Sequence, residues 1–248
     1  MASTTTTGQR LNAGTLAALA PTIAKPGVSG FETGIVHIGL GAFHRAHQAI
    51  YLDDLFNTGK GHDWAIIGAG VLPSDETMRA KLAEQDFLTT VVEQDNNKSA
   101  ARVTGPMIGY LSPGNPRATI ARLADPAIRI VSLTITEGGY FIDPATGKFD
   151  PTHPAIVADA KDPAHPKTVF GLIIAGLRAR REAGIPAFTV MCCDNIPGNG
   201  DVARRSFAAF ASLRVRGFMT LAEFSSDEER VRACFRRLRD VRDRAVQD

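Results

Sequence analysis

IVHIGLGAFHRAHQ, residues 35–48, passes from an apolar run to a helical pattern across a glycine turn. Ile35-Val36-His37-Ile38, closed by Gly39, reads as a short buried strand. Ala42–Phe56 follows with helical periodicity and stops at Asn57–Gly61. Gly39 permits the tight turn between them, and Gly41 lets backbone approach a pyrophosphate at the start of the helix. His44 stands where the dinucleotide-binding fingerprint has its third glycine, so the match is partial. An ordinary glycine-rich turn is the alternative; the position between strand and helix favours the nucleotide reading.

The same alternation extends in both directions. Upstream, Leu11–Ala24 has apolar residues at helical spacing and ends at Pro26-Gly27, after a Thr-rich lead-in, Met1–Arg10, read as disordered. Downstream, Trp64–Gly70 is a second apolar run, and Ser74-Asp75-Glu76 opens a helix to about Gln85, with Ser74 as its cap. Phe87–Glu93 and Arg102–Leu111 read as strands, and Asn115-Pro116 starts a helix ending near Asp125-Pro126. Ile128–Thr136 reads as a central parallel strand, and Asp143–Lys167 as a loop. Thr168–Glu182 is a helix, Ala187–Cys193 a strand and Asp201–Leu213 a helix. This order predicts an α/β fold: a Rossmann-like, doubly wound, mostly parallel sheet. The organisation expected is a lead-in over 1–30, a nucleotide-binding domain over 31–213 and a tail over 214–248.

Composition excludes several classes. The chain has 248 residues, is 44% hydrophobic and 22% charged, and carries a net charge of +2, which gives no basic field for nucleic acid. The longest apolar run, Val169–Leu177, is too short to span a membrane, and the N-terminus lacks a signal peptide's apolar core. Cys192, Cys193 and Cys234 form no disulfide framework and read as free thiols, which suits a cytoplasmic location. His44 and His47 lie three apart but find no further ligands at metal-site spacing, so no metal is expected; a buried, backbone-bonded His is the preferred reading.

The chemistry gathers in loops at the strand ends, where such sheets bind ligands. The second strand ends in Gly68-Ala69-Gly70, with Asp75 shortly after. An acid there accepts hydrogen bonds from the adenosine ribose and repels a 2′-phosphate, favouring NAD over NADP; the plainer reading is that Asp75 helps cap its helix. Asp53 and Asp54 fall inside the first helix and are less suitable. Two further loops, Thr136-Glu137-Gly138-Gly139-Tyr140 and Cys193-Asp194-Asn195-Ile196-Pro197-Gly198-Asn199-Gly200, face the nicotinamide half. Asn195 can donate to a developing oxyanion. Turn-making glycines and an Asp-Asn helix cap are the plainer readings, and the Cys pair reads as a packed strand end.

Taken together, these stretches resemble the mannitol dehydrogenase family of long-chain polyol dehydrogenases and hexuronate reductases. The resemblance rests on IVHIGLGAFHRAHQ (35–48), WAIIGAG (64–70), IRIVSLTITEGGY (128–140), PKTVFG (166–171) and AGIPAFTVMCCDNIPGNG (183–200), and covers about Leu11 to Leu213. It is greatest to the NAD-dependent mannitol 2-dehydrogenase branch; sorbitol, arabinitol and fructuronate enzymes share most of the motifs. The resemblance implies hydride transfer between a polyol carbinol and NAD, giving a ketose such as fructose. It places Gly39, Gly41, Phe43, His44, Arg45, Asp75, Glu137, Gly138, Gly139 and Asp194 at the cofactor, and Asn195 at the reacting oxygen. It implies no metal, and a lysine as general acid/base.

Here the sequence departs from the family. That lysine belongs to a K-x-x-x-x-N-x-x-H motif in a second, mostly helical domain, and this sequence has no Lys after Lys167 and no His after His165. Residues 214–248 carry nine Arg, no Lys and no Pro. Ser226 followed by Asp227-Glu228-Glu229, with Val231, Cys234, Phe235, Leu238, Val241 and Ala245 in one stripe, reads as an amphipathic helix. An anionic-lipid or nucleic-acid contact is a sharper reading of its Arg face; truncation or a change of reading frame better explains the abrupt loss of pattern. Two functions follow: half of a polyol dehydrogenase, or a catalytically silent nucleotide-binding module. A methyltransferase using S-adenosylmethionine also places glycines after its first strand, but the GAFHRAHQ and TEGGY loops argue against it. An uncovered cleft would favour self-association.

Overall fold

The computed structural model describes residues 9–194 apart from 28, 95–98 and 144, together with the single positions 202, 206, 229, 232, 233 and 236. Nearly all of the 214–248 tail and the helix expected over 201–213 lie outside the described residues.

Five parallel strands form the main sheet. β1 (Thr33–Ile38) lies at its centre, β2 (Ala65–Ala69) and β5 (Met107–Leu111) to one side, β6 (Ile130–Leu133) and β7 (Thr189–Cys192) to the other, in the order β5-β2-β1-β6-β7. β1 is in parallel register with both neighbours, Ile38 lying opposite Ala69 and Leu133. The chain builds outward from β1 on one side and then returns to build on the other. The strand order therefore reverses between β1 and β6, and a crevice lies beyond their carboxyl ends. That is the doubly wound α/β architecture.

Alternation along β1 separates two apolar layers. Val36 and Ile38 pack with Val131, Leu133, Leu123, Phe170, Ile173 and Tyr140, beneath α4 (Pro116–Ala124) and α6 (Val169–Glu182). Ile35 packs with Leu40, Ile66, Leu82, Met107 and Tyr110 on the opposite face. α4 and α6 approach closely at Gly176, where a Cβ would lie 2.6 Å from the Cβ of Leu123. Asn115 Oδ1 accepts from Ala118 N at the start of α4, and Thr168 Oγ1 from Gly171 N at the start of α6, so both helices begin on side-chain caps.

Arg180 of α6 is 3% exposed. Its Nη1 donates to Leu123 O (3.3 Å), at the C-terminal end of α4, and to Ile128 O (2.8 Å), and its guanidinium lies 5.2 Å from the Phe188 ring. The cation thus serves one carbonyl at a helix's negative end and one in the segment leading into β6. Arg180→Met should cost about 2–3 kcal/mol, since two buried acceptors lose a charged donor. The urea midpoint at neutral pH checks this; a change within error would place the Arg at a wet, replaceable position.

Four local expectations are corrected. Leu11–Ala24 forms only a 3-10 turn, Leu16–Ala18: Leu11, Leu16, Leu19 and Ile23 are half-buried, none is buried, and a helix that short is marginal without a buried face. The helix after the glycine turn is broken into α1 (Ala42–Ala46) and α2 (Gln48–Asn57). His47 causes the break. Its Nδ1 takes Phe43 O at 2.8 Å, the carbonyl its own amide would use in an unbroken helix, and its amide turns to His44 O. Arg102–Leu111 is two strands. Ser99–Thr104 (β4) pairs antiparallel with Thr89–Gln94 (β3) as a separate hairpin, and Gly105-Pro106 turns the chain into β5. The loop expected over 143–167 contains α5 (Pro154–Lys161), which starts with Pro at its first position.

Candidate functional site

The glycine turn sits at the point where strand order reverses. Gly39 has φ +91, and a Cβ on it would lie 2.0 Å from Thr134 O at the end of β6. Gly41 differs. Its φ of −78 and ψ of 179 suit any residue, and the nearest atom to an added Cβ is Gly39 O at 4.0 Å. Gly39 is therefore required by the fold. Gly41 faces open space, the condition for close approach of a ligand backbone to the turn. Leu40 between them is anchored in the slot left by Gly68, whose added Cβ would meet Leu40 Cδ1 at 2.3 Å. Arg45 Nη1 donates to Leu40 O (2.8 Å) and contacts Met78 Sδ (3.6 Å), bracing the turn from α1. Phe43 stacks on His47, ring centroids 4.3 Å apart.

Beneath the turn lies a buried polar cluster that the sequence did not disclose. His37 of β1 and His44 of α1 are stacked with centroids 3.6 Å apart and planes inclined by 17°. His37 Nδ1 meets Ser132 Oγ at 2.8 Å; its Nε2 meets Thr134 Oγ1 at 3.0 Å and Gly39 O at 3.2 Å. His44 Nδ1 meets Gln48 Oε1 at 3.1 Å, while its buried Nε2 has no partner. Its partner is thus a side chain, not the backbone group expected. Burial, reinforced by the neighbouring His44, holds His37 well below the usual imidazole range. Burial also draws His44 down to about 4, against the opposing Gln48 bond. Both rings are neutral at physiological pH. The His44–His47 pair does not converge, since His47 is turned to Phe43 O. Among the described residues no group of three His, Cys, Asp or Glu could hold a metal ion.

On the β2 side, Asp75 Oδ2 accepts from Val71 N (2.8 Å) and Leu72 N (2.9 Å). It closes the loop after β2, while Ser74, expected as the cap, makes no capping bond. Asp53 is committed elsewhere: it is buried, pairs with Arg102 (2.8 Å) and accepts from Gly105 N (3.0 Å), tying α2 to the β4 hairpin.

On the β6 and β7 side, Asp194 is buried and holds the neighbouring loop: Oδ1 accepts from Thr136 N (2.8 Å) and Oδ2 from Tyr140 OH (2.6 Å). The loop is a 3-10 turn, Glu137–Tyr140. Gly139 is packed, its added Cβ 2.9 Å from Ile135, whereas Gly138 has nothing within 4 Å. The side chain of Glu137, and Asn195 altogether, lie outside the described residues.

Neither of the two described cysteines, Cys192 and Cys193, is in a disulfide. Burial pushes Cys192 up to about 12 and Cys193 up to about 11. At pH 8 only about a thousandth or less of either would be thiolate. Iodoacetamide at pH 8 should therefore leave both unmodified in the native chain and label both in urea, read by peptide mass mapping. Rapid native labelling of either would contradict the burial described.

With this geometry in view, comparison with known proteins is direct. The profile of the mannitol dehydrogenase Rossmann domain matches residues 33–221. The chain belongs to the mannitol dehydrogenase family. It is 61% identical over 181 residues to mannitol 2-dehydrogenase of Cereibacter sphaeroides, covering 73% of this chain and 38% of that protein. It is 46% identical over 191 residues to a polyol:NADP oxidoreductase of Gluconobacter oxydans, covering 75% and 39%. Among solved structures, Pseudomonas fluorescens mannitol 2-dehydrogenase in ternary complex with NAD and D-mannitol superposes with a TM-score of 0.78 at 50% identity, over 82% of this chain and 42% of that one. A substrate-free D-sorbitol dehydrogenase gives 0.77 at 38% identity, over 92% and 45%. The mannitol dehydrogenase Rossmann domain is thus present, and the chain spans about two fifths of the length of the curated relatives it matches. No described helix is long and apolar enough to cross a membrane.

Proposed function

We propose that this chain is the NAD-binding half of a polyol dehydrogenase of the mannitol-to-fructose type. The observation that carries the reading is the contrast within the glycine turn: Gly39 is filled against Thr134, while Gly41 is left bare over the crevice. Family membership and the NAD-bound relative support the same cofactor.

The residues present fit a dinucleotide laid across the reversal point. The pyrophosphate would lie on the Gly39–Gly41 turn and the free amides that follow it, with Phe43, His44 and Arg45 shaping and bracing that turn. Asp75 would accept from the adenosine ribose; both its described bonds fall on Oδ2. Like-charge repulsion at that carboxylate disfavours a 2′-phosphate, so NADH should bind at least about tenfold more tightly than NADPH. Glu137, Gly138 and Gly139 border the nicotinamide half. Asn195, immediately after Asp194, would donate to the carbinol or ketone oxygen. When bound, NAD supplies the hydride acceptor.

The general-base lysine of the family motif is not among these 248 residues, which have no Lys after Lys167. A second reading is a nucleotide-binding module without turnover of its own. NADH fluorescence titration tests the shared part: saturable binding is expected, and no saturation up to about 1 mM, a threshold of roughly 4 kcal/mol, overturns it. Mannitol oxidation with NAD then separates the two readings; turnover by the chain alone would refute the silent module. Sorbitol, arabinitol and fructuronate in the matching assays define the substrate.

A further inference from the structure

We infer that Asp194, Tyr140 and Thr136 form a positioning clamp that sets the nicotinamide side of the crevice, so that Asp194 acts on the cofactor through the loop it holds. The inference rests on the NAD-binding reading above.

The starting point is a strained backbone. Thr136 has φ 62 and ψ 174, a region essentially confined to glycine, and Phe141 is left-handed at φ 51 and ψ 45. These two non-glycine residues bracket the turn Glu137–Tyr140. Such strain persists only where the surroundings over-determine it, and it concentrates at ligand sites. Here the surroundings are identifiable. Asp194 Oδ1 takes the Thr136 amide at 2.8 Å, Oδ2 takes the Tyr140 hydroxyl at 2.6 Å, and Gly139 N closes the turn on Thr136 O at 3.2 Å. Tyr140 is fully buried, its ring 6.5 Å from Phe170, so one end of the turn is anchored in the core.

Gly138 and Gly139 follow, and a glycine at 136 would adopt the same angles without cost. The strained amide is fixed to a carboxylate of the neighbouring strand end: Cys193 N bonds Leu133 O at 2.8 Å, which places Asp194 directly beyond the β6–β7 pairing. The result is a bare, exposed Gly138 held out from the turn with nothing within 4 Å of an added Cβ. With the adenosine half assigned to the β1-β2 side, a dinucleotide crossing the reversal point has its nicotinamide half over β6 and β7. The clamp therefore acts on that half. It also joins the loop to the chain segment entering Asn195.

The experiment titrates the full chain with NADH and with ADP-ribose, which lacks the nicotinamide ring, alongside thermal melts. Tyr140→Phe removes one hydroxyl from the clamp. Thr136→Gly keeps the amide and releases the strain, so its melting temperature should not fall. In Tyr140→Phe NADH affinity should drop about tenfold, the scale of one charged hydrogen bond, with ADP-ribose binding unchanged within about twofold, whereas Thr136→Gly, which keeps the amide bond to Asp194, should bind both ligands within about twofold of the parent. Equal weakening of both ligands in Tyr140→Phe would make the clamp a general structural tie, and unchanged NADH affinity in folded Tyr140→Phe would leave the clamp without a binding role; either result overturns the inference. A parent chain that binds neither ligand overturns the NAD-binding reading, and this inference with it.

Discussion

Gly39→Ala should destabilise the chain by about 4 kcal/mol, while Gly41→Ala should leave stability unchanged within about 1 kcal/mol. The first substitution meets two penalties. A residue with a side chain is strained at φ +91, and its methyl would lie 2.0 Å from Thr134 O and 2.7 Å from the carbonyl carbon. β1 and β6 are joined there by Thr134 N to Ile38 O at 3.0 Å, so relief requires parting the central strands at their ends. The second substitution meets neither penalty, since Gly41 is extended and its Cβ direction is open. It should nonetheless weaken NADH by at least about tenfold, because a methyl would occupy the approach to the pyrophosphate. Urea unfolding paired with NADH titration reads both effects. If Gly41→Ala binds NADH like its parent, the pyrophosphate does not lie on this turn.

Acid should weaken the fold in a window set by the stacked histidines. His44 is held at about 4 in the folded chain and returns to about 6.5 when unfolded; His37 is shifted in the same direction. The folded state thus binds fewer protons between these values, and stability falls with falling pH. The contribution is fully present above about pH 6.5, reduced by about 2 kcal/mol at pH 5 and by about 3 kcal/mol near pH 4, counting His44 alone. Asp63, Glu76 and Asp150 are lowered from ordinary carboxylate values, so their protonation acts below this window. His44→Asn should be less stable at pH 7.5, having lost the stack and the Gln48 bond, yet lose much less between pH 7.5 and pH 5. Denaturant titrations at the two pH values provide the check. Parallel losses in parent and variant would show that the pair titrates normally in the folded chain.

Much of the architecture was legible because it is written locally. A β-branched run followed by glycines and a helical pattern encodes strand, turn and helix with no reference to distant residues. The helix starts at Asn115 and Thr168 were equally readable, since a cap satisfies amides only a few residues away. Local reading failed where a competing local bond or an absent partner intervened. At His47 a side chain displaced its own amide from Phe43 O; at residues 11–24 the apolar positions are at most half-buried, too little to hold a helix.

The site divides in the same way. The sequence by itself determined the alternation of strands and helices in the main sheet, the glycine turn after the first strand and the family, because each lies in contiguous residues. Only the tertiary structure separated Gly39 from Gly41, since the atom that excludes a side chain at Gly39 is a carbonyl 95 positions away in the chain. Only the sheet pairing brought Asp194 onto Thr136 and Tyr140, and His37 against Ser132, because β1, β6 and β7 become neighbours through the sheet and not through the sequence. Steric exclusion and burial depend on what lies opposite a residue, and in a parallel sheet that is settled by long crossovers.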